Sequence, residues 1–329
     1  MSWQEERLNE FFNSRAFMWI VAAVVLLATC AAMLTGRVPA PQQGQGVFFH
    51  WGGLLIQEPQ TGWEINMLCM GGVAALLMTL NRRYNFVRTV TTVPASMFLL
   101  LQLASPQLSV NFGVGTAMCV VLAVALFTVF AAYQKRGRSQ RSIFLVMATV
   151  SLCSMFHFAF LFLIPVMLLG FVYVRAMSLK GFVAMLLGLV TPFWIALGTG
   201  LVSPWDYHLP QLSSIWNVRD LAHLPVAIAI AVVTAVVTIA VTVVNLMTLL
   251  NYRLQTRVYN AFLVVVSALA IVMMGVDFNN IVNYLPILNL CLAIQLAHLH
   301  TIGTATRRYL VLVAIVVASL VSFTLQMML

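Results

Sequence analysis

Between Arg141 and Arg175 the chain runs from Ser142 to Val174, thirty-three residues, without one Lys, Arg, Asp or Glu. As a single helix this stretch would be about 50 Å long, well beyond the ~30 Å hydrocarbon core of a bilayer. Two complete crossings need about 20 residues each and a turn, which is more than it has. The length therefore predicts a hairpin of two short legs, 142–156 and 158–174, that enters and leaves on the same side. Its tip is Met155-Phe156-His157-Phe158. Legs of this length reach about 22–25 Å. The tip should stop short of the far surface and leave a depression floored by His157.

The rest of the chain fits around such a hairpin only in a membrane. Hydrophobic residues make up 62% of 329 and charged residues 8%, against about 25% charged in a soluble domain. The apolar runs lie at about 17–35, 65–80, 87–104, 111–133, 142–156, 158–174, 181–201, 226–250, 258–276, 281–299 and 309–328. Uniform runs of this length predict helices and exclude the short alternating segments of a membrane β-barrel. The expected fold is all-α: a polytopic transmembrane helical bundle of about eleven segments including the short hairpin at 142–174. Residues 1–16 form a cytoplasmic amphipathic lead-in, and 17–329 form a single transmembrane domain.

Charge placement sets the orientation. All of the seventeen Lys and Arg except Arg37 and Arg219 fall in the N-terminal lead-in or in alternate links, such as Arg82-Arg83 and Lys135 to Arg141. The positive-inside rule makes that face cytoplasmic, with the N-terminus inside. The same placement explains the net charge of +9 without nucleic acid, for which no extended basic surface exists. Leu27-Ala28-Thr29-Cys30 resembles a lipoprotein cleavage box, but three Glu precede it where a signal peptide is basic. The first run reads as a retained anchor. The five cysteines all lie in apolar runs, so neither a disulfide framework nor a thiolate metal site is expected. No metal and no cofactor is implied; His298 and His300, two apart and hence on different helix faces, mark an interface.

Pro94, Pro165, Pro192 and Pro286 interrupt apolar runs and favour kinks or breaks. Gly181, Gly188 and Gly198 suit close helix packing. No Asp, Glu, Lys or Arg lies at mid-membrane, which weighs against an ion-coupled carrier. The chemistry is concentrated outside, in loops 36–64 and 203–222. Glu64 and Asp206 are the candidate catalytic carboxylates, as general bases for a hydroxyl nucleophile. Trp205 and Trp216 can stack on a sugar ring, and Arg219 can hold a phosphate. With His208 and His157 they make up the candidate substrate-binding set, converging over the hairpin tip.

The layout of ten or more helices, a long first outside loop, a second large outside loop and basic inner turns resembles the C-type glycosyltransferase and O-antigen polymerase class. Leu80-Asn81-Arg82-Arg83-Tyr84-Asn85-Phe86-Val87-Arg88-Thr89, followed by Pro94 and Ser105-Pro106, and the segment around Phe156-His157-Phe158, are similar to a group of uncharacterised bacterial inner-membrane proteins. The resemblance implies a multi-pass protein of the bacterial inner membrane that acts on lipid-linked glycans at the outer face in envelope polysaccharide assembly. Its partners would be membrane lipids and a lipid-linked sugar. It also implies an acidic residue in the first outside loop, which Glu58 or Glu64 would match. The paired acids many members carry there are absent from this sequence. A transporter or flippase-like protein and a non-catalytic membrane subunit or scaffold are the other readings.

Overall fold

The structure, a computed structural model, describes residues 3–36, 44–51, 58–87, 89, 91–134, 139–210, 225–249, 253–302 and 308–328. They form the expected all-α bundle. Helices α1 (Trp3–Asn13) and α2 (Arg15–Thr35) are followed by a two-stranded antiparallel ribbon, β1 (Gly44–Gln45) and β2 (His50–Trp51). Helix α3 (Pro59–Tyr84) leads to the short helices α4 (Val93–Leu103) and α5 (Pro106–Val110), then α6 (Val114–Ala131), α7 (Gln140–Ser154), a 3₁₀ turn (Phe158–Phe162) and α8 (Leu163–Tyr173). The chain ends with α9 (Leu179–Gly198), α10 (Pro225–Leu249), α11 (Leu254–Val276), a 3₁₀ turn (Phe278–Asn280), α12 (Ile281–Ile302) and α13 (Arg308–Met328). Eight of these helices are long and apolar enough to cross a membrane among the described residues. Together α4 and α5 make one further, broken crossing of the bundle.

The hairpin is present. Ser139 Oγ, before its first leg, donates to the Ala176 carbonyl after its second at 2.8 Å, and Gln134 N–H donates to the Val174 carbonyl at 3.0 Å. Both ends therefore lie together, on the side of Arg141, Arg175 and Lys180. The fifteen residues of α7 span about 22 Å. The helix stops at Ser154, and the chain turns through Met155, Phe156 and His157.

Helix α12 is the centre of the bundle. It is buried along its whole length and packs on α4, α6, α10 and α11. Enclosure by protein is what lets it carry polar side chains at membrane depth. Asn289 Nδ2 donates to the Leu101 carbonyl at 3.2 Å; the Gln295 carbonyl accepts from Asn245 Nδ2 at 2.8 Å, and its side-chain oxygen accepts from Thr242. At its basic end His300 meets α1, with Nε2 3.2 Å from Asn13 Nδ2 and its ring beside Phe12, the interface its position suggested.

The second crossing-segment break was not expected. The run read as one segment over 87–104 is α4, eleven residues and wholly buried, followed by α5 after Ala104-Ser105. The carbonyls freed there are met by side chains from three other helices. Ala104 O accepts from Ser322 Oγ at 2.8 Å and Gln326 Nε2 at 2.7 Å; Asn66 Nδ2 donates to Leu108 O at 3.0 Å and Ser109 O at 2.8 Å; Asn289 serves Leu101 O. Buried backbone groups in a bilayer need such partners, each unsatisfied one costing several kcal/mol.

The prolines divide. Pro192 and Pro286 lie inside helices, whereas Pro94 stands in the first turn of α4, where its missing N–H costs no helical bond. Pro165 lies three residues into α8. Gly188 brings α9 onto α7: a Cβ there would lie 2.6 Å from the Phe144 carbonyl. Gly181 packs more loosely, 3.0 Å from Ile143 Cδ1. Gly198 faces open space, so it serves no packing contact, contrary to expectation.

Candidate functional site

The hairpin tip is built by its own backbone. His157 is extended (φ −155°, ψ 132°), and its Nδ1 accepts the Ala159 N–H at 3.0 Å, which caps the 3₁₀ turn. An Nδ1 acceptor assigns the ring proton to Nε2. The ring is 3% exposed and is covered by Gly44, at which an added Cβ would fall on Nε2 and Cδ2. His157 is thus a roofed capping residue, where an imidazole flooring an open depression was expected.

The roof is the first loop. The last carbonyls of α7 have no helical donor, and the loop supplies them. Val47 N–H donates to Ser154 O at 3.2 Å, and Phe48 and Phe49 N–H donate to Met155 O at 3.2 and 2.9 Å. Phe49 stacks on Phe156 with centroids 5.0 Å apart, and Phe48 lies 6.0 Å from Phe193 of α9. At Gly46 a Cβ would strike the Met155 carbonyl. Only glycine allows this backbone to lie on the tip.

The second loop closes over the first. His208 N–H donates to Val47 O at 2.9 Å, and the His50 and His208 rings are 6.0 Å apart. Two residues before it, Asp206 sits in a turn held by its N–H to Ser203 O at 3.2 Å. Asp206, Tyr207 and His208 are exposed, and Trp205 is 87% exposed. Aromatic side chains in this position suit the membrane–water interface.

Of the candidate residues, His208 reaches the clasp over the tip, and Trp205 and Asp206 come with it on one turn. Glu64 lies elsewhere: it is exposed near the start of α3, accepts from Gln60 Nε2 at 3.0 Å, and its helix packs on α2, α4, α5 and α6. Trp216 and Arg219 lie outside the described residues. Within the first loop, residues 47–49 rest on the tip.

The open space lies beside the tip. An apolar groove of about 460 Å³ runs between α7 and α9, ending at Phe49, Met155 and Phe156 and walled by Ala148 and Pro192. The hydroxyls of its two threonines, Thr149 and Thr191, are bonded back to their own helices, so the walls offer methyl groups. The groove is apolar along its walls and ends at Phe49, next to the clasp of the two loops. Sequence reasoning missed Gly44, Gly46, Phe49 and His50; the Gly-Gln-Gly spacing of 44–46 was the available signal. No group of three or more His, Cys, Asp or Glu is placed to hold a metal among the described residues, and all five cysteines are unpaired.

Fold and site together define a multi-pass α-helical membrane protein with a re-entrant hairpin clasped by two loops. No protein-family model, curated protein or solved structure matches the chain.

Proposed function

We propose that the protein binds an amphiphilic lipid-linked substrate of the lipid-linked glycan class at the outer face of the bacterial inner membrane, in envelope polysaccharide assembly. The observation that carries this reading is the apolar groove ending at the clasp of both outer loops. A hydrocarbon chain in the groove places its head group beside Asp206 and His208. There a carboxylate can accept the proton of an attacking hydroxyl, and Trp205 can stack on a sugar. Glu64, on a helix with other packing partners, is the weaker base.

A photoreactive isoprenoid phosphate, added to the protein in nanodiscs, tests the binding step. Labelling should map to the facing walls of α7 and α9 and fall at least tenfold in Ala148→Trp, which fills the groove. Equal labelling of the variant contradicts the proposal. In cells, Asp206→Asn should impair envelope glycan assembly at unchanged protein abundance. If it supports normal glycans where a deletion does not, the scaffold reading replaces the enzymatic one.

The flippase-like reading draws on a different observation, the broken α4–α5 crossing, since interrupted helices line the paths of many carriers. With no Asp, Glu, Lys or Arg at mid-membrane, such transport should be indifferent to a protonophore when membrane potential is clamped.

A further inference from the structure

A second feature lies where the start of α6 meets the start of α12. Helix α6 starts at Val114 with Gly113 as its N-cap residue and no side-chain cap. Its first-turn residues Val114, Gly115 and Thr116 are buried, and no hydrogen bond is found for their N–H groups among the described residues. The first N–H groups of a helix have no internal partner, and burying them without one is costly. The same turn lines a cavity of about 20 Å³ together with Asn283 of α12. Asn283 is 5% exposed, and its Nδ2 is buried without a partner. Two independent sets of orphan donors thus face one small space.

We propose that this cavity is a binding site for a single small anion of halide size, held by the first turn of α6 and the Asn283 amide. Every orphan group named is a donor, so the guest must accept from all of them. The helix N-terminus adds about half a positive charge. A water there would have to turn its hydrogens to Gln107 or Asn111, the other polar residues of the lining, whereas an anion needs only the donors. The volume suits one water-sized or halide-sized guest. The nearest acid along the chain, Asp277, is engaged with Asn280 at 3.0 and 3.1 Å and with the Tyr284 hydroxyl at 2.9 Å. Gly115 lets the two helices meet at all: a Cβ there would lie 2.9 Å from the Asn283 carbonyl and from Pro286 Cγ. The site would tie α6 to the central helix, an anion serving as the missing cap.

Thermal unfolding of the purified full-length protein tests this in sodium chloride, bromide and gluconate at equal ionic strength. Chloride and bromide should raise Tm saturably by a few degrees over gluconate, and Asn283→Asp should abolish that dependence and lower Tm. Equal Tm in the three salts overturns the proposal. So does an Asn283→Asp protein that is more stable and indifferent to halide, because the side chain would then be an ordinary helix cap. If the variant does not fold, anomalous scattering from bromide-soaked crystals decides. A bromide within hydrogen-bond distance of Asn283 Nδ2 supports the site, and a water there refutes it.

Discussion

Two helices in this bundle are broken inside the membrane, and they are mended in opposite ways. At Ala104-Ser105 and along α5 the freed carbonyls are met by the side chains of Asn66, Asn289, Ser322 and Gln326 from three packed helices. At Met155 to His157 they are met by backbone N–H groups of a loop. The first repair depends on particular residues held by the core, so it is rigid and can be lost by one substitution. The second depends on a backbone that glycine allows to approach. It can open locally without unfolding the bundle, since surface segments open at far lower free energy than the core.

The largest effect should come from the side-chain repair. Asn66→Leu strips two buried carbonyls of their donor and should cost roughly 2–5 kcal/mol, seen as loss of monodisperse protein or a collapse of Tm. A change under about 1 kcal/mol would mean that water or a backbone shift satisfies those carbonyls. Gly46→Ala should be milder and more local. It should undock the first loop, sacrificing three backbone hydrogen bonds for roughly 1–3 kcal/mol, and expose the amides of 47–49 to fast hydrogen exchange while the helices stay protected. Simultaneous loss of protection in α7 and α9 would erase the distinction between the two repairs.

Smaller still is the cap. His157→Ala should cost about 0.5–2 kcal/mol and His157→Asn appreciably less, because Asn also accepts at a helix N-cap. Equal losses for both would show that the ring matters through its packing under Gly44. Ser322→Ala should be the least costly, about 0.5–1 kcal/mol, since Gln326 still serves Ala104 O. Removing both donors should cost more than the sum of the single losses; strict additivity would show that they do not share that carbonyl.

The two breaks also differ in how far the residues announce them. The hairpin is legible because thirty-three residues without charge fit neither one crossing nor two, and flanking arginines put both ends on one side. Its observed tip follows Ser154, within a residue or two of the expected one. The α4–α5 break carried only Pro106 as a signal. Apolar residues continue to either side, and the donors that repair it sit 42 to 222 positions away in sequence, where no local pattern can show them. The site is legible in the same partial way. That the second loop meets the hairpin follows from both lying on one face. That His157 would be roofed does not follow, because the roof is backbone, and backbone contacts leave no mark in residue type beyond Gly44 and Gly46. For the same reason an open depression was expected above the tip, and the groove lies beside it.

Residues 140–176 enter and leave on one side, with their tip under the loops of the other. Single cysteines at Gln140, Lys180 and Pro204, in a background free of the five native cysteines, test it by side-specific labelling in sealed vesicles. Gln140→Cys and Lys180→Cys should react only with reagent on one side, and Pro204→Cys only with reagent on the opposite side. Gln140→Cys and Lys180→Cys reacting from opposite sides would make the segment a crossing and contradict the account.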